Sequence, residues 1–431
     1  MPKERIAPLI GFVFIDVLGY SLFFPLLPYY AEMFGAGPAL VGLMIASNAA
    51  AQFVAAPVVG RLSDRYGRRP LLMLSIVGTL LSFLLLGLAE PLGERLGDLL
   101  PAVTTTAGWT VVVLFFCRIL DGLAGGNVSL ARAYVADVTD EESRAKGLGL
   151  IGAAFGLGFV IGPAIGGTFS NWKAAESAFD TLGLSRFAVP AFATVLISAL
   201  NLLAVIKWLP ESLPRERRAA PSQGGRCGAD LGGLRRAFQR PLFGPLLTMR
   251  FFFSLALALF MANFALYTQH HLDLSDQATS YVMTYAGVLL ILVQVVGIGW
   301  MTARFHEKRI MFGGLIVITA ALFGLALVSN VTLLLLVLLP LALSGGMLNT
   351  VLNSLISKSV YPEEVGGALG LVTSVESLTW VLAPIVGGLL IDYLGGWSLG
   401  LAGGVTTGLL IVYVWRQLVA QPDRVLPPRN K

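Results

Sequence analysis

This chain of 431 residues has only two cysteines and three histidines, and charged residues make up only 13% of it. Cys117 lies inside a long apolar run and Cys227 in a polar stretch, so no disulfide is expected. His270, His271 and His306 fall at the ends of apolar runs without the spacing of a zinc site, and neither a metal nor a resident cofactor is expected. There is no HExxH, nucleophile elbow, phosphate loop or catalytic histidine pair, which speaks against an enzyme. So little charge beside 56% hydrophobic residues excludes an ordinary soluble domain.

What fills the chain instead is a series of long apolar runs. Six, at about 6–30, 38–59, 71–90, 110–132, 147–170 and 187–209, precede a polar stretch rich in Pro, Gly and Arg. Six more follow, at about 243–269, 279–302, 310–329, 332–358, 366–390 and 397–418. Each is long enough to cross a hydrocarbon core of about 30 Å as a helix, and backbone groups in lipid must be satisfied within the segment. The expected fold is an all-α membrane protein, twelve transmembrane helices in two pseudo-symmetric six-helix bundles, 1–209 and 243–431, joined by a cytoplasmic linker, 210–242. The first run carries Asp16 in its middle and is a retained span rather than a signal peptide.

With both termini in the cytoplasm, all but five of the 30 Lys and Arg residues fall on the inner side. Arg95, Lys173 and Arg186 lie outside, and Arg118 and Arg250 lie within spans, the latter near enough to an end to snorkel. The net charge of +5 follows from this topology and an anionic inner leaflet, with no nucleic-acid partner required. A multi-pass monomer of a cell (inner) membrane is expected, with the lipid bilayer as its surroundings.

The two halves repeat one another. Gly156-Leu-Gly-Phe-Val-Ile-Gly-Pro-Ala-Ile-Gly-Gly167 aligns with Ser377-Leu-Thr-Trp-Val-Leu-Ala-Pro-Ile-Val-Gly-Gly388 at an offset of 221, which places Pro163 on Pro384. The loop Gly60-Arg-Leu-Ser-Asp-Arg-Tyr-Gly-Arg-Arg69 has a worn copy in Gly299-Trp-Met-Thr-Ala-Arg-Phe-His-Glu-Lys308 at an offset of 239, with Ala303 in place of Asp64. A charge lock built on Asp64 is therefore expected in the first half alone. Parallel repeats of this kind are a transporter architecture.

These motifs together resemble the major facilitator superfamily, and within it the twelve-span drug:proton antiporters that include the tetracycline efflux pumps. The Gly60–Arg69 loop fits the family's signature between helices 2 and 3. Leu114-Phe-Phe-Cys-Arg118-Ile-Leu-Asp-Gly122 is similar to its helix 4 motif, Ala133-Tyr-Val-Ala-Asp-Val-Thr139 to the tetracycline pumps, and the Gly-Pro run of helix 5 to the antiporter motif. The resemblance implies gating by Gly60, Asp64, Arg65, Gly67 and Arg68, with Asp64 facing Arg132 or a helix N-terminus. It also implies alternating access driven by a proton gradient. The match is incomplete: Ser82 stands where tetracycline pumps carry an acid, and helices 8 and 9 lack their histidine and aspartate. Tetracycline itself is a doubtful cargo.

In helix 5, Gly158, Gly162 and Gly166 recur every four residues and share a face beside Pro163 and Gly167, a smooth packing seam. Ionisable groups inside spans cost about 2.5–3.5 kcal/mol each and so need a reason. Asp16, Arg118, Asp121 and Glu376 are the candidates for proton coupling or transport. Either Asp16 or Asp121 is the proton carrier, or Arg118 and Asp121 form a permanent pair; Glu376 is a cation-binding or second proton site. Asn48, Gln52, Asn127, Gln294, Asn349, Asn353 and Trp380 are candidates for a cavity lining suited to a small amphipathic organic substrate. The expected function is proton-coupled export of such a molecule. The competing readings are a proton-independent facilitator or exchanger of a polar metabolite, and a non-transporting lipid-binding receptor.

Overall fold

The structure, a computed structural model, describes residues 3–101, 104–214, 238, 240, 242–297, 301, 304–361 and 364–419. Most of the expected linker, Cys227 with it, and Gly299, Trp300, Thr302 and Ala303 of the worn copy lie outside the described residues. The regular structure among the described residues is helical, as runs facing lipid require. Its first part holds α1 (Lys3–Phe23), α2 (Leu27–Met33), α3 (Pro38–Tyr66), α4 (Arg68–Gly87), α5 (Ala89–Leu99), α6 (Thr106–Ala124), α7 (Asn127–Val138), α8 (Glu141–Phe169), α9 (Lys173–Asp180) and α10 (Ala188–Trp208). Then come α11 (Phe243–Ala262), α12 (Phe264–Leu272), α13 (Asp276–Leu292), α14 (Glu307–Ala326), α15 (Val331–Lys358), α16 (Val365–Leu394) and α17 (Trp397–Val414).

Eleven helices among the described residues are long and apolar enough to cross a membrane. The twelfth expected span, 279–302, is α13, 17 residues long and continued by a π-helical turn at Val293–Gly297, past which residues 298–300 are not described. Three expected spans are broken rather than straight. Pro25, which donates no backbone hydrogen bond, lies in the break between α1 and α2, and Pro28 in the first turn of α2. Gly125 and Gly126 separate α6 from α7, where a Cβ on Gly126 would lie 2.7 Å from Val59 Cγ1. Asn263 divides α11 from α12; its Nδ2 donates to the carbonyls of Leu259 (2.9 Å) and Ala383 (3.1 Å), and Gly387 leaves the room the amide needs. Phe24 in the first break and Asn263 in the last stand 239 positions apart, the offset of the hinge copy.

The chain divides into two compact units, Met1–Gly225 with Leu274–Gly287, and Arg226–Asp273 with Val288–Lys431. The first turns of α13 therefore belong to the first unit, although the chain reaches them after α11 and α12. In that unit α1 packs on α8 and α10, and α6 on α3 and α4, over a core that includes Leu9, Val13, Leu72, Ile76, Tyr134 and Ile151. In the second unit α11 packs on α16 and α17, and α14 on α15 and α17. Outward side chains such as Val54, Leu74 and Leu200 stay apolar, a surface fit for lipid.

Candidate functional site

The expected hinge loop is one residue long. α3 runs to Tyr66 and α4 starts at Arg68, so Gly67 alone makes the turn, at φ 106°, a conformation that favours glycine. Gly60 lies inside α3 with nothing near its Cβ position and makes no turn, contrary to expectation. Asp64 does not reach Arg132, which is exposed; it pairs across the Gly67 turn with Nη1 of Arg68, four positions on, at 2.7 Å. Arg65 instead lies over the Tyr66 ring. The nearly buried Arg68 also donates from Nε to Asp137 Oδ2 at 3.0 Å and from Nη1 to Ser63 Oγ at 2.5 Å. Ser212 Oγ donates to the same Asp137 oxygen at 2.9 Å. Glu211 accepts from the backbone N–H of Arg68 (2.8 Å) and Arg69 (3.2 Å), a carboxylate at a helix N-terminus where the unpaired donors favour it. Spacing in the sequence gives Asp137 and Glu211 no partners; only the return of α7 and of the segment after α10 to this turn does.

Deeper in the same unit, Arg118 and Asp121 form an ion pair one turn apart on α6, Nη2 to Oδ2 at 2.9 Å, with both side chains buried. Asn48 of α3 donates its Nδ2 to Asp121 Oδ2 and to the Arg118 carbonyl, both at 3.0 Å. The Arg118 guanidinium also lies over the Phe83 ring, 5.4 Å from its centre. Gly122 permits this junction: a Cβ there would lie 2.3 Å from the Asn48 carbonyl oxygen. Asp16 on α1 is held differently. Asn127, the first residue of α7, donates to its Oδ1 at 2.7 Å, and no ion pair to it is found among the described residues. Asp16 is half-buried, and the Asn127 Oδ1 beside it is buried without a hydrogen-bond partner.

The three spaced glycines of α8 all face α1. Added Cβ atoms would lie 3.0 Å from Leu18 N at Gly158, 2.0 Å from Ser21 Oγ at Gly162 and 1.9 Å from the Leu22 carbonyl oxygen at Gly166. Ser21 Oγ donates to the Gly158 carbonyl at 2.8 Å across the seam. Pro163 sits within the unbroken helix. Gly167 faces elsewhere, toward Ser280 of α13. Beside it Asp276 is buried, paired with Arg186 Nη2 at 3.2 Å and accepting from Ser170 Oγ at 2.7 Å.

Among the described residues the second unit holds three charge pairs that the hydropathy pattern does not reveal. Arg250 does not snorkel; it is 5% exposed and pairs through Nη2 with Glu376 Oε1 of α16. Lys358 Nζ meets Glu307 Oε1 at 2.7 Å, and Ser354 Oγ donates to that oxygen at 2.8 Å. The offset of 239 that carries Gly60 onto Gly299 carries Arg68 onto Glu307, and the offset of 221 that carries Pro163 onto Pro384 carries Asp137 onto Lys358. The two repeats thus hold the same cross-link with opposite polarity, so an ion pair at this place is not confined to the first half. Near the chain's return from the linker, Arg240 makes two hydrogen bonds of 3.0 Å to Glu364. Lys358 holds the Glu307 carboxyl below the usual glutamate range, with Ser354 assisting, and Arg240 does the same for Glu364.

Of the expected cavity residues, Asn48 and Asn127 serve the two carboxylates, and Gln52 donates to the Gly125 carbonyl at 2.6 Å. In the second part of the chain Gln294, Asn349 and Trp380 are exposed and Asn353 is half-buried. Ser82, at the place of the missing acid, donates to the Cys117 carbonyl at 2.6 Å inside the bundle. Among the described residues, no group of three His, Cys, Asp or Glu side chains is placed to hold a metal.

Apolar helices in two repeated units, with charges buried inside their spans, define an integral multi-pass membrane protein of the transporter class. The chain belongs to the Major Facilitator Superfamily, whose model matches residues 9–286 and 246–431. It is 28% identical to the class C tetracycline resistance protein of Escherichia coli over 88% of this chain and 87% of that one. It is 26% identical to multidrug resistance protein 2 of Bacillus subtilis over 95% and 94%, and 26% identical to solute carrier family 22 member 18 of Rattus norvegicus over 92% and 90%. Among solved structures it shares its fold with the human organic anion transporter MFSD10, with a TM-score of 0.66 at 21% identity over 96% and 100%. A bacterial homologue of the human lysosomal transporter Spinster has a TM-score of 0.72 at 12% identity over 99% and 100%.

Proposed function

We propose that the chain is a proton-coupled exporter of small amphipathic organic molecules, working by alternating access with both termini in the cytoplasm and Asp16 as the proton carrier. The observation that carries this reading is the unequal setting of the two buried aspartates. Asp121 is tied to Arg118 and Asn48, so protonating it would strand a buried guanidinium. Among the described residues Asp16 has one neutral partner, Asn127. As placed, the Asn127 amide donates to an ionised carboxylate; turned over, its partnerless oxygen accepts from a protonated one. Both states of Asp16 are thereby served by one side chain, which is what a group that gains and loses a proton in each cycle requires.

The rest of the unit fits that role. Arg118 and Asp121 are a fixed anchor beside the carrier. The α1–α8 seam is lined by glycines, so α1 can slide along α8 once the Ser21–Gly158 hydrogen bond is released. The relatives named for tetracycline and multidrug resistance support an organic cargo, while the missing acid of helix 3 argues against tetracycline.

Proteoliposomes with an imposed pH gradient and a panel of amphipathic dyes test the reading. Wild-type accumulation is expected to follow the gradient and vanish with a protonophore. Asp16→Asn is expected to lose gradient-driven accumulation yet keep exchange of dye against dye. Accumulation that ignores the protonophore, or survives Asp16→Asn, refutes it in favour of a facilitator or another carrier.

A further inference from the structure

An arginine inside a span needs acceptors for its five N–H bonds, and among the described residues Arg250 has one. Its Nη2 meets Glu376, while Nε and Nη1 are buried with no hydrogen-bond partner. The residue sits seven positions into α11, about 10 Å along the helix, too deep for its head to leave the bundle. Glu376, eleven positions into α16, is the more open partner, with 31% of its side chain accessible. What the pair lacks is acceptors, and the side from which one can arrive is that of Glu376.

We propose that Arg250 is the docking point for the carboxylate of an amphipathic organic acid, which fills the free Nε and Nη1 donors and competes with Glu376 for the guanidinium. In the empty site Glu376 stands in for the cargo's acid group. Trp380 lies one turn further along α16 and is 41% exposed, an aromatic face beside the point where the acid would bind. A cationic cargo fits poorly: it would draw Glu376 away and leave all five donors of Arg250 unpaired in a buried place. An anion adds acceptors where they are missing. As to transport, this inference rests on the exporter reading; as to binding it stands alone.

The test is equilibrium binding in nanodiscs, without any pH gradient, of 1-naphthoate and of its cationic counterpart 1-naphthylmethylammonium. Wild type is expected to bind naphthoate saturably. Glu376→Gln removes the competitor and is expected to tighten naphthoate by about tenfold, an effect that a merely structural ion pair would not produce. Arg250→Lys keeps a charge but loses the fork and is expected to weaken it by about tenfold; Arg250→Gln is expected to abolish it. Should Arg250→Gln not fold, the Lys variant and Glu376→Gln still decide. Failure of naphthoate to bind wild type, equal binding by all variants, or selective binding of the ammonium that is lost in Glu376→Gln overturns the proposal. Proton coupling is not read in this assay, so a negative result for Asp16 in vesicles and a negative result here are separate.

Discussion

Replacing Asp121 by Asn leaves the Arg118 guanidinium, 4% exposed, without its anion. At 2.9 Å the mutual attraction is about 6 kcal/mol for an effective dielectric of about 20. Most of that offsets the desolvation of both charges, so the intact pair contributes little; removing one partner keeps the cost and forfeits the gain, about 3–5 kcal/mol. For a unit of this size each kcal/mol moves the unfolding midpoint by about 2–4 °C, which makes the expected loss about 6–20 °C. Cys117, one position before Arg118 and fully buried, supplies the readout: thermal unfolding in nanodiscs followed by a thiol-reactive dye in a Cys227→Ser background. Arg118→Gln is expected to fall by a similar amount, since it strands the carboxylate. The double variant, with no net charge to strand, is expected to regain at least half of either loss. A double variant as unstable as the sum of the two singles refutes the pairing argument, because independent sites add.

Arg68→Glu alone crowds a third acid against Asp64 and Asp137 and is expected to abolish transport in vesicles. The triple variant Asp64→Ala, Arg68→Glu, Asp137→Lys copies the polarity of the second repeat and is expected to restore it, whereas no rescue would show that the sign itself matters. Gly166→Ala drives a Cβ against the Leu22 carbonyl and should cost about 1–3 kcal/mol as α1 and α8 part; Gly149→Ala, with open space around it, is the control in the same thermal assay. The depressed Glu307 carboxyl contributes stability that is present above the unfolded value of about 4.3 and is lost as pH falls through its lower folded value. Because Lys358 is well exposed, the effect is at most about 1 kcal/mol. Midpoints measured from pH 6 to 3 should fall more steeply in wild type than in Glu307→Gln.

The spans and the repeat were legible because hydrophobic length and duplicated motifs are properties of the chain itself. The α8 seam was legible for the same reason: three glycines at a four-residue spacing fix a face without reference to what it meets. Partner choice was not. Asp64 was expected against Arg132, yet Arg68 lies four positions away, just past the Gly67 turn, and wins on proximity. Arg250 was expected to reach water, yet α16 brings Glu376 to it, and hydropathy cannot register such a meeting. The break at Asn263 was invisible because one buried amide replaces the Pro or Gly pair that announces the other two. The inverted Glu307–Lys358 pair follows from the two offsets of the repeat, but its members are complementary to Arg68 and Asp137 rather than identical, so residue identity does not mark it.

The first turns of α13 belong to one unit and its remainder to the other, so the chain passes between units three times, at Gly225, at Asp273 and inside a helix at Gly287. Cutting the central linker would thus leave the two units joined through the crossings at Asp273 and Gly287, and a fragment ending at Gly225 would lack the Asp276 carboxylate that Arg186 and Ser170 hold. The passage inside α13 puts its first turns in one unit and its remainder in the other within a single helix of 17 residues.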